Sequence, residues 1–409
     1  MTFSKYSSTP LINKLILTVL LLTPIFTFQE SLALIMLEHR GFVNTSNTLS
    51  SIYLKGVKDI FFILIIISSV LIIIETLKIN RVSMIGIAVI LLFILLPAYY
   101  YHNNILVFLS GIRWLIPFIL VAFLIDHIDK RLLYKIGTIM FYLFIFHFIM
   151  QIIQLFFSYG YFGLNSIGLS SRNPGIFYVP STAATFTIIV LFFCNYYMKE
   201  SLQNKIFYLI PISIFLTASG TGIGIYFIFM IIYYLKNNYL PYLPIIIIST
   251  AILLILSLDL LSGRAGLVEE SLGIRFEHFQ KALISGHYLP RDFGYGTATA
   301  ELIMNKFNLD LNMIITHSWY ASSIVNLGLI NSTLIFIILG IIFVVLTKSQ
   351  DKEKLLFLTI FAMFALTTPI AESYPANLIF AVLFAYYIKP KQDNYEHKDT
   401  STETISVNS

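Results

Sequence analysis

Apolar stretches long enough to cross a lipid bilayer recur along the whole chain of 409 residues, and this pattern limits the possible folds most strongly. A helix needs about 20 apolar residues to span a hydrocarbon core about 30 Å thick. Hydrophobic residues make up 57% of the sequence, charged residues make up 11%, and the mean hydropathy is +0.83. This composition excludes a soluble globular domain. The sequence therefore predicts an all-α, polytopic integral membrane protein.

The apolar runs predict about twelve transmembrane helices. They lie at residues 11–29, 57–77, 82–101, 104–125, 132–157, 176–198, 205–218, 221–235, 241–261, 318–347, 355–371 and 375–388. Residues 1–390 then form a single transmembrane domain. The polar segment 391–409 is expected to be a disordered cytoplasmic tail.

The stretch LTASGTGIGI, from Leu216 to Ile225, separates two short predicted helices and is rich in small residues. It fits either a tight turn or a kink in one long helix. With a turn, the basic loops and both termini fall on one side of the membrane, which is the cytoplasm by the positive-inside rule. One long helix would place the segment 348–354 and the C-terminal lysines opposite the first basic loops. The charge distribution therefore favours the turn, with both termini cytoplasmic.

The predicted outer face carries one large loop, residues 262–316, which holds most of its polar residues. Within the loop, the segment 271–284 has a helical spacing of apolar residues. The residues of this apolar face are Ile274, Phe276, Phe279, Ala282 and Leu283. We therefore expect a partly helical loop that packs as a cap on the transmembrane helices.

Arginine is the majority basic residue on the predicted outer face, whereas lysine dominates on the cytoplasmic side. The positive-inside rule requires basic residues on the cytoplasmic side, and either lysine or arginine satisfies it. The rule therefore does not explain why arginines lie on the predicted outer face. A guanidinium binds phosphate or carboxylate through two parallel hydrogen bonds, which favours an outward-facing polyanion site. Solvated loop charges and internal salt bridges are the alternative. The outer arginines assigned to such a site are Arg172, Arg264, Arg275 and Arg291.

Arg113 lies about ten residues into the fourth predicted span. An unpaired charge at this depth costs several kcal/mol, so Arg113 should face a polar cavity and an ionic or polar partner.

His317 stands at the end of the large loop, directly before a predicted span. The ordinary histidine pKa of about 6.5 suits a general base near neutral pH, and a hydrogen-bonded helix cap is the alternative. Trp319 and Tyr320 follow as an aromatic pair suited to stacking on a sugar or to lying at the headgroup level. His317, Trp319 and Tyr320 are therefore candidate site residues in addition to the outer arginines.

Several motifs that would define other chemistry are missing from the sequence. There is no Walker loop, dinucleotide fingerprint, HExxH motif or acidic pair with metal spacing, so neither a cofactor nor a metal is predicted. The net charge of +5 is explained by basic loops, and no nucleic acid partner is implied.

Without a nucleotide site, the energy for a reaction must come with the substrate. A lipid pyrophosphate donor meets this demand and suits the arginines.

Four motifs, in this order, resemble the O-antigen polymerase and ligase superfamily of bacterial surface-polysaccharide assembly. They are SSRNPGIFYVPSTAA from Ser170, LTASGTGIG from Leu216, SGRAGLVEESLGIRFEHFQKALISGHYLPRDFGYGTAT from Ser262 and THSWYASSIVNLGLIN from Thr316. The resemblance covers about residues 100–375. Two positions depart from the family pattern, because Ser318 replaces an asparagine after the histidine and Phe279 replaces a tryptophan in the loop.

The resemblance implies a glycosyltransferase with a GT-C-like architecture in the bacterial inner membrane. It would polymerise undecaprenyl-pyrophosphate-linked repeat units into O-antigen or a related surface polysaccharide at the periplasmic face, within lipopolysaccharide biosynthesis. A chain-length regulator protein is a further implied partner. The implied catalytic residues are His317 and Arg275, and the implied pyrophosphate- or glycan-binding residues are Arg113, Arg172, Arg264, Arg291, Trp319 and Tyr320.

Three other functions remain open at this point. An O-antigen ligase would use the same donor and transfer the glycan to the lipid A core. A flippase for lipid-linked oligosaccharides would also need many spans and an intramembrane arginine, although no internal repeat is visible. A membrane sensor or a purely structural membrane protein is the remaining alternative.

Overall fold

A computed structural model describes residues 9–27, 50–76, 81–102, 104–157, 173–177, 179–235, 277–297, 299–300, 303–304, 318–348 and 352–389. Every regular element among these residues is a helix, as the composition predicts. The helices are α1 (Thr9–Leu21), α2 (Ser50–Thr76), α3 (Arg81–Val89), a π-helix (Ile90–Leu95), α4 (Leu96–Tyr100), α5 (Ile105–Leu124), α6 (Lys130–Phe157), α7 (Pro180–Tyr196), α8 (Glu200–Ile206), α9 (Leu209–Leu216), α10 (Gly220–Leu235), α11 (Trp319–Lys348), α12 (Lys352–Thr367) and α13 (Ala376–Ile388).

Several of these helices have the length and composition of membrane spans. Among the described residues, five stretches qualify, namely Gly56–Thr76, Ser83–Tyr100, Ile105–Leu124, Lys130–Leu155 and Trp319–Ile341. Shorter apolar helices accompany them, including α7 and α13. The chain is therefore a helical, membrane-embedded protein. The predicted span at 241–261 and the tail 391–409 lie outside the described residues.

Helices α7 and α13 form the centre of the bundle, because nearly all their side chains are buried. Aromatic contacts join α12 to α13, with ring centroids 4.8 Å apart for Phe357 and Phe384 and 4.7 Å apart for Phe361 and Phe384. A helix that is apolar on every face is stable only in a core or in lipid. The central helices therefore provide a rigid base on which the polar residues at the helix ends are positioned.

The chain reverses direction between α9 and α10. Ala218, between these helices, has φ 47°. The amide of Asn173, shortly before α7, donates to the carbonyl oxygen of Leu216 at 2.9 Å. Gly222, near the start of α10, lies directly against Ala184, near the start of α7. The end of α9 and the start of α10 thus lie at one end of the bundle, which confirms the predicted turn.

A polar cluster closes the opposite end of the bundle. The hydroxyl groups of Tyr197 and Tyr387 both donate to Glu353, which lies at the start of α12. Lys389 Nζ donates to the carbonyl oxygens of Asp126 and Ile128 at 3.4 Å. The ends of α5, α7 and α13 therefore meet at the start of α12.

Helix α11 contains a reversal that corrects the predicted single span over 318–347. Gly328 has φ 77° and ψ 167°, which is not helical. The ring centroids of Trp319 and Phe336 are only 6.0 Å apart, and those of Tyr320 and Phe336 are 5.2 Å apart. A straight helix would separate residues 319 and 336 by about 26 Å. Residues 319–327 and 329–348 therefore lie side by side.

Part of the large outer loop inserts between α5 and the first half of α11. The amide of Gly294 donates to Asn326 Oδ1 at 2.7 Å, and Ser322 Oγ donates to the carbonyl oxygen of Gly296 at 2.6 Å. Because Gly294 pairs with Asn326 and Gly296 pairs with Ser322, the loop segment and the first half of α11 run antiparallel. Gly294 has φ 95° and lies directly against the carbonyl of Val107 in α5. Non-helical backbone at membrane depth is tolerated only where protein or a polar cavity surrounds it.

The predicted helix within the outer loop is confirmed over residues 277–285. Ala282 is fully buried against Ala321, Ile324 and Val325 of α11. Phe279 and Leu283, predicted for the same buried face, are 36% and 45% exposed. Ile274 and Phe276 lie outside the described residues. The described part of this helix therefore contacts the bundle mainly through one small residue.

Asn326→Leu should lower the free energy of unfolding by about 1–3 kcal/mol, because the buried amide of Gly294 would lose its acceptor. A thiol-reactive dye can measure the effect during heating, since Cys194 is the only cysteine and is buried. Ser323→Ala is the matched control, because the buried Ser323 hydroxyl donates within its own helix to Trp319. Equal melting temperatures for the two variants would contradict the proposed anchoring of the loop.

Candidate functional site

A polar pocket lies at the end of the bundle where the outer loop inserts, and we call it the Arg113 pocket. Arg113 lies eight residues, or about 12 Å, from the first residue of α5. Five parts of the chain meet there, namely α2, α5, the inserted loop segment, the turn between α12 and α13, and the start of α13. The lining residues are Lys58, Asp59, Phe62, Arg113, Trp114, Thr299, Ala371, Glu372 and Asn377.

Arg113 forms an ion pair inside this pocket. Its Nε lies 2.6 Å from Asp59 Oδ2, and the other carboxylate oxygen of Asp59 lies 3.2 Å from Lys58 Nζ. The Arg113 and Asp59 side chains are 24% and 17% exposed, so the pair is largely removed from solvent. A charge in such surroundings requires a partner. The prediction that Arg113 faces a polar cavity and a partner is confirmed.

Thr299 links the arginine to a second carboxylate. Arg113 Nη1 donates to Thr299 Oγ1 at 3.3 Å. The Thr299 hydroxyl and backbone amide both donate to Glu372 Oε2 at 3.1 Å. Asp59, Arg113, Thr299 and Glu372 therefore form one hydrogen-bonded chain across two helices, the inserted loop and the turn between α12 and α13. The polar groups support one another, which fixes the geometry of the pocket.

Aromatic side chains complete the pocket wall. Lys58 Nζ lies 5.5 Å from the ring centroid of Phe62 and 5.4 Å from that of Tyr374. The Tyr374 hydroxyl accepts a hydrogen bond from Thr23 and donates one to the Val19 carbonyl in α1. These contacts hold the lysine against an aromatic surface and connect the pocket to α1.

The indole nitrogen of Trp114 is buried and has no hydrogen-bond partner among the described residues. Trp114 is only 1% exposed and lines the pocket beside Arg113. A buried donor without an acceptor is costly and uncommon in proteins.

An apolar crevice adjoins the Arg113 pocket and shares Ala371 and Asn377 with it. The crevice lies between α5, α12 and α13. Its other lining residues include Pro117, Phe118, Val121, Phe361, Phe380 and Phe384. The charged pocket and the apolar crevice therefore lie side by side.

The aromatic pair predicted for sugar stacking lies beside this crevice. Trp319 is fully buried, with its ring centroid 5.7 Å from that of Phe118 in a stacked arrangement. It also contacts Phe361, so the structure gives it a packing position rather than an open sugar-binding surface. Tyr320 is half-buried and lies edge-on to Phe336.

Arg291 lies away from the Arg113 pocket. Its guanidinium is 4.7 Å from the ring centroid of Tyr101, just after α4. The adjacent Asp292 lies 3.4 Å from His287 Nε2. Burial raises the pKa of Asp292, while His287 and Arg291 oppose that shift. Arg291 is therefore an exposed surface arginine in contact with an aromatic ring.

Four predicted site residues, His317, Arg275, Arg172 and Arg264, lie outside the described residues. Ser318, which follows His317, donates to the Ala365 carbonyl in α12 at 3.1 Å.

The backbone that follows Arg172 is held by buried polar groups of α6. Gln151 Nε2 donates to the Asn173 carbonyl at 2.9 Å. Gln154 exchanges two hydrogen bonds with the backbone of Gly175. His147 is fully buried against Phe177. The chain on the C-terminal side of Arg172 is therefore rigidly placed.

Sequence reasoning missed Asp59, Thr299 and Glu372 as site residues. Asp59 carried a usable signal, because a Lys58–Asp59 pair at the start of a predicted span is unusual in an apolar environment. Glu372 lies in a very short connection between two apolar helices, so its carboxylate must lie close to the helix ends. Neither signal identifies the distant partner.

No group of three or more histidine, cysteine, aspartate or glutamate residues within the described ranges could hold a metal ion. Comparison of the chain with family models, curated proteins and solved structures gives no match.

Proposed function

We propose that the chain is a polysaccharide polymerase, a glycosyltransferase that joins undecaprenyl-pyrophosphate-linked repeat units at the outer face of the bacterial inner membrane. The observation that carries this proposal is that the charged Arg113 pocket and an apolar crevice lie side by side. A lipid-linked glycan has a polar head and a long apolar tail, and it needs both surfaces at one site. The order of the four sequence motifs supports the same function.

The proposed architecture has about twelve spans, a GT-C-like arrangement and cytoplasmic termini. It would place the Arg113 pocket toward the periplasm. The reversals at Ala218 and Gly328 support this topology, because they bring the start of α10 and the inserted loop to the pocket end of the bundle. The cluster around Glu353 then faces the cytoplasm.

In the proposed reaction, a hydroxyl of the acceptor sugar attacks the anomeric carbon of the donor. The bond to the lipid pyrophosphate breaks, and negative charge develops on the leaving oxygen. Arg275, with Arg172 and Arg264, would stabilise this charge without a metal or other cofactor. His317 would accept the hydroxyl proton.

An O-antigen ligase would use the same donor site and differ only in its acceptor. A flippase would require the pocket to open alternately to each side of the membrane. Buried hydrogen bonds from Asn326 and Ser322 fix the inserted loop against α11, which favours a stationary reaction site over such a movement.

The deciding experiment is mass spectrometry of lipid-linked products. The purified full-length protein in nanodiscs is incubated with undecaprenyl-pyrophosphate repeat units, without nucleotide or metal. We expect a ladder of whole repeats that remain on the carrier. Transfer that begins only when lipid A core is added would identify a ligase, and inertness under both conditions would favour a transporter.

Arg275→Ala and His317→Ala should each reduce elongation in this assay on the order of 100-fold or more, because each removes a group that acts in the transition state. Lys281→Ala is the control, since Lys281 is exposed and forms a local ion pair with Glu277. Normal elongation by both folded variants would show that the assigned catalytic residues are wrong.

A further inference from the structure

Five large apolar or aromatic side chains of the outer loop are exposed, and we call them the loop patch. They are Phe279, Leu283, Ile284, Tyr288 and Leu289, with exposed fractions between 36% and 77%. Among the described residues, Ile284 is the most exposed of the large aliphatic side chains. A contiguous apolar surface of this kind marks a contact with another molecule or with a membrane.

The loop patch is joined to α11 directly after the reversal at Gly328. The amides of Leu329 and Ile330 donate to the carbonyl oxygens of His287 and Tyr288, at 2.8 and 3.3 Å. From Ile330 onward, α11 exposes a stripe of apolar residues, namely Leu334, Ile337, Ile338 and Ile341. This stripe belongs to a helix with the length and composition of a membrane span, so it faces lipid. The loop patch therefore continues a lipid-facing surface.

The neighbouring span Ser83–Tyr100 gives the depth of this contact. Asn331 Nδ2 donates to the carbonyl oxygen of Phe93 at 2.8 Å. Phe93 lies seven residues, or about 10 Å, before Tyr100 at the end of that span. The residues of α11 that hold the loop are adjacent to Asn331 in the chain. The backbone beneath the loop patch thus lies within the length of a membrane span and not beyond its end.

Polar groups mark the boundary of the loop patch with water. The guanidinium of Arg291 lies 4.7 Å from the ring centroid of Tyr101, directly after the same span, and Tyr100 is exposed beside it. His287 Nε2 lies 3.4 Å from Asp292 Oδ2. Tyrosine rings and long basic side chains are characteristic of the lipid headgroup level. The chain therefore reaches the headgroups a few residues after the loop patch.

The described helix of the outer loop separates its charged side chains from part of the loop patch. Glu277 and Lys281 form an exposed ion pair at 2.6 Å. Phe279 and Leu283 lie on the other side of the helix, because residues two positions apart differ by about 200°. Ala282 is buried against α11 and fixes the helix in this orientation. This distribution is typical of a helix that lies in the membrane interface.

We propose that the loop patch is buried in the bilayer leaflet at the pocket end of the bundle, where it anchors the outer loop to lipid. Acyl chains contact Leu283, Tyr288 and Leu289, and the guanidinium of Arg291 lies at the level of the lipid phosphates. The same chain continues into the segment that inserts beside α5, so lipid helps to hold that segment in place. This inference is independent of the proposed function, since it requires only that the chain spans a membrane.

Spin-label accessibility in nanodiscs tests the proposal on the full-length chain. Cys194→Ala removes the only cysteine, and single labels are then attached at Leu283→Cys and Tyr288→Cys. Oxygen concentrates among acyl chains, whereas a nickel chelate remains in water. We expect the ratio of oxygen to chelate collisions to be several-fold higher at these two positions than at Lys281→Cys. Lys281→Cys is the matched control, because Lys281 lies on the charged side of the same helix.

Two results would overturn the proposal. Chelate collisions at positions 283 and 288 as frequent as those at 281 would show that the loop patch faces water. Low accessibility to both reagents would instead indicate that protein, such as a second copy of the chain, covers the loop patch.

A second variant tests the same contact without a spin label. Tyr288→Trp keeps an aromatic ring at an exposed position, where substitutions usually have small effects on stability. Lipids with brominated acyl chains should quench the emission that this variant adds to that of the wild type. Lys281→Trp should be quenched much less. Equal quenching of the two variants would contradict lipid anchoring.

Discussion

Replacing Gly328 with alanine is expected to lower the free energy of unfolding by about 3 kcal/mol or more and to abolish glycan elongation. Gly328 has φ 77°, which a residue with a side chain rarely adopts. A Cβ at this position would also lie 2.7 Å from backbone atoms of Tyr288 and Leu289. The variant must therefore either straighten α11 or displace the outer loop, and both changes disrupt the inserted segment beside Arg113.

The measurement is the melting temperature of the purified protein, followed by dye labelling of the buried Cys194. Gly340→Ala is a matched control in the same helix, because nothing lies within 4 Å of a Cβ at Gly340. We expect Gly340→Ala to be neutral or slightly stabilising, since alanine favours the helix. Similar melting temperatures for the two variants would mean that α11 does not reverse at Gly328.

Arg113→Met is expected to reduce elongation on the order of 100-fold, because loss of the Asp59–Arg113–Thr299 chain misplaces the substrate. Asp59 would keep Lys58 as an ionic partner at 3.2 Å, so the variant should remain folded. Arg113→Lys keeps the charge but cannot contact Asp59 and Thr299 with one fork, and we expect about a tenfold loss.

Product mass spectrometry measures these effects, and labelling of Cys194 verifies that the variants are folded. Arg131→Lys provides a matched control, since Arg131 is exposed at the start of α6 and the substitution preserves the charge. Wild-type elongation by Arg113→Met would remove the Arg113 pocket from the reaction site, whatever the role of His317.

The sequence alone predicted the helical class and several local features. Apolar runs required helices, because a helix satisfies its backbone hydrogen bonds within one segment. The basic loops predicted the turn that the structure places at Ala218. The position of Arg113 within an apolar run predicted a polar cavity and a partner, since an isolated charge is too costly there.

The reversal of α11 was not predictable from its apolar pattern. Residues on both sides of Gly328 have the composition of a continuous span, and a single glycine within such a run is compatible with a straight helix. Contacts with Tyr288 and Leu289 of the outer loop select the turn instead. The same reversal brings Phe336 over the ring of Trp319, a contact that the sequence did not indicate.

Composition and residue spacing thus determined that this chain is a bundle of membrane helices with a partly helical outer loop and an intramembrane arginine. Tertiary structure alone decided which groups surround that arginine. Asp59, Thr299 and Glu372 are far apart in the chain, and no local periodicity encodes their distances from Arg113. Helix packing brings them together, and the low-dielectric surroundings then make their pairing obligatory.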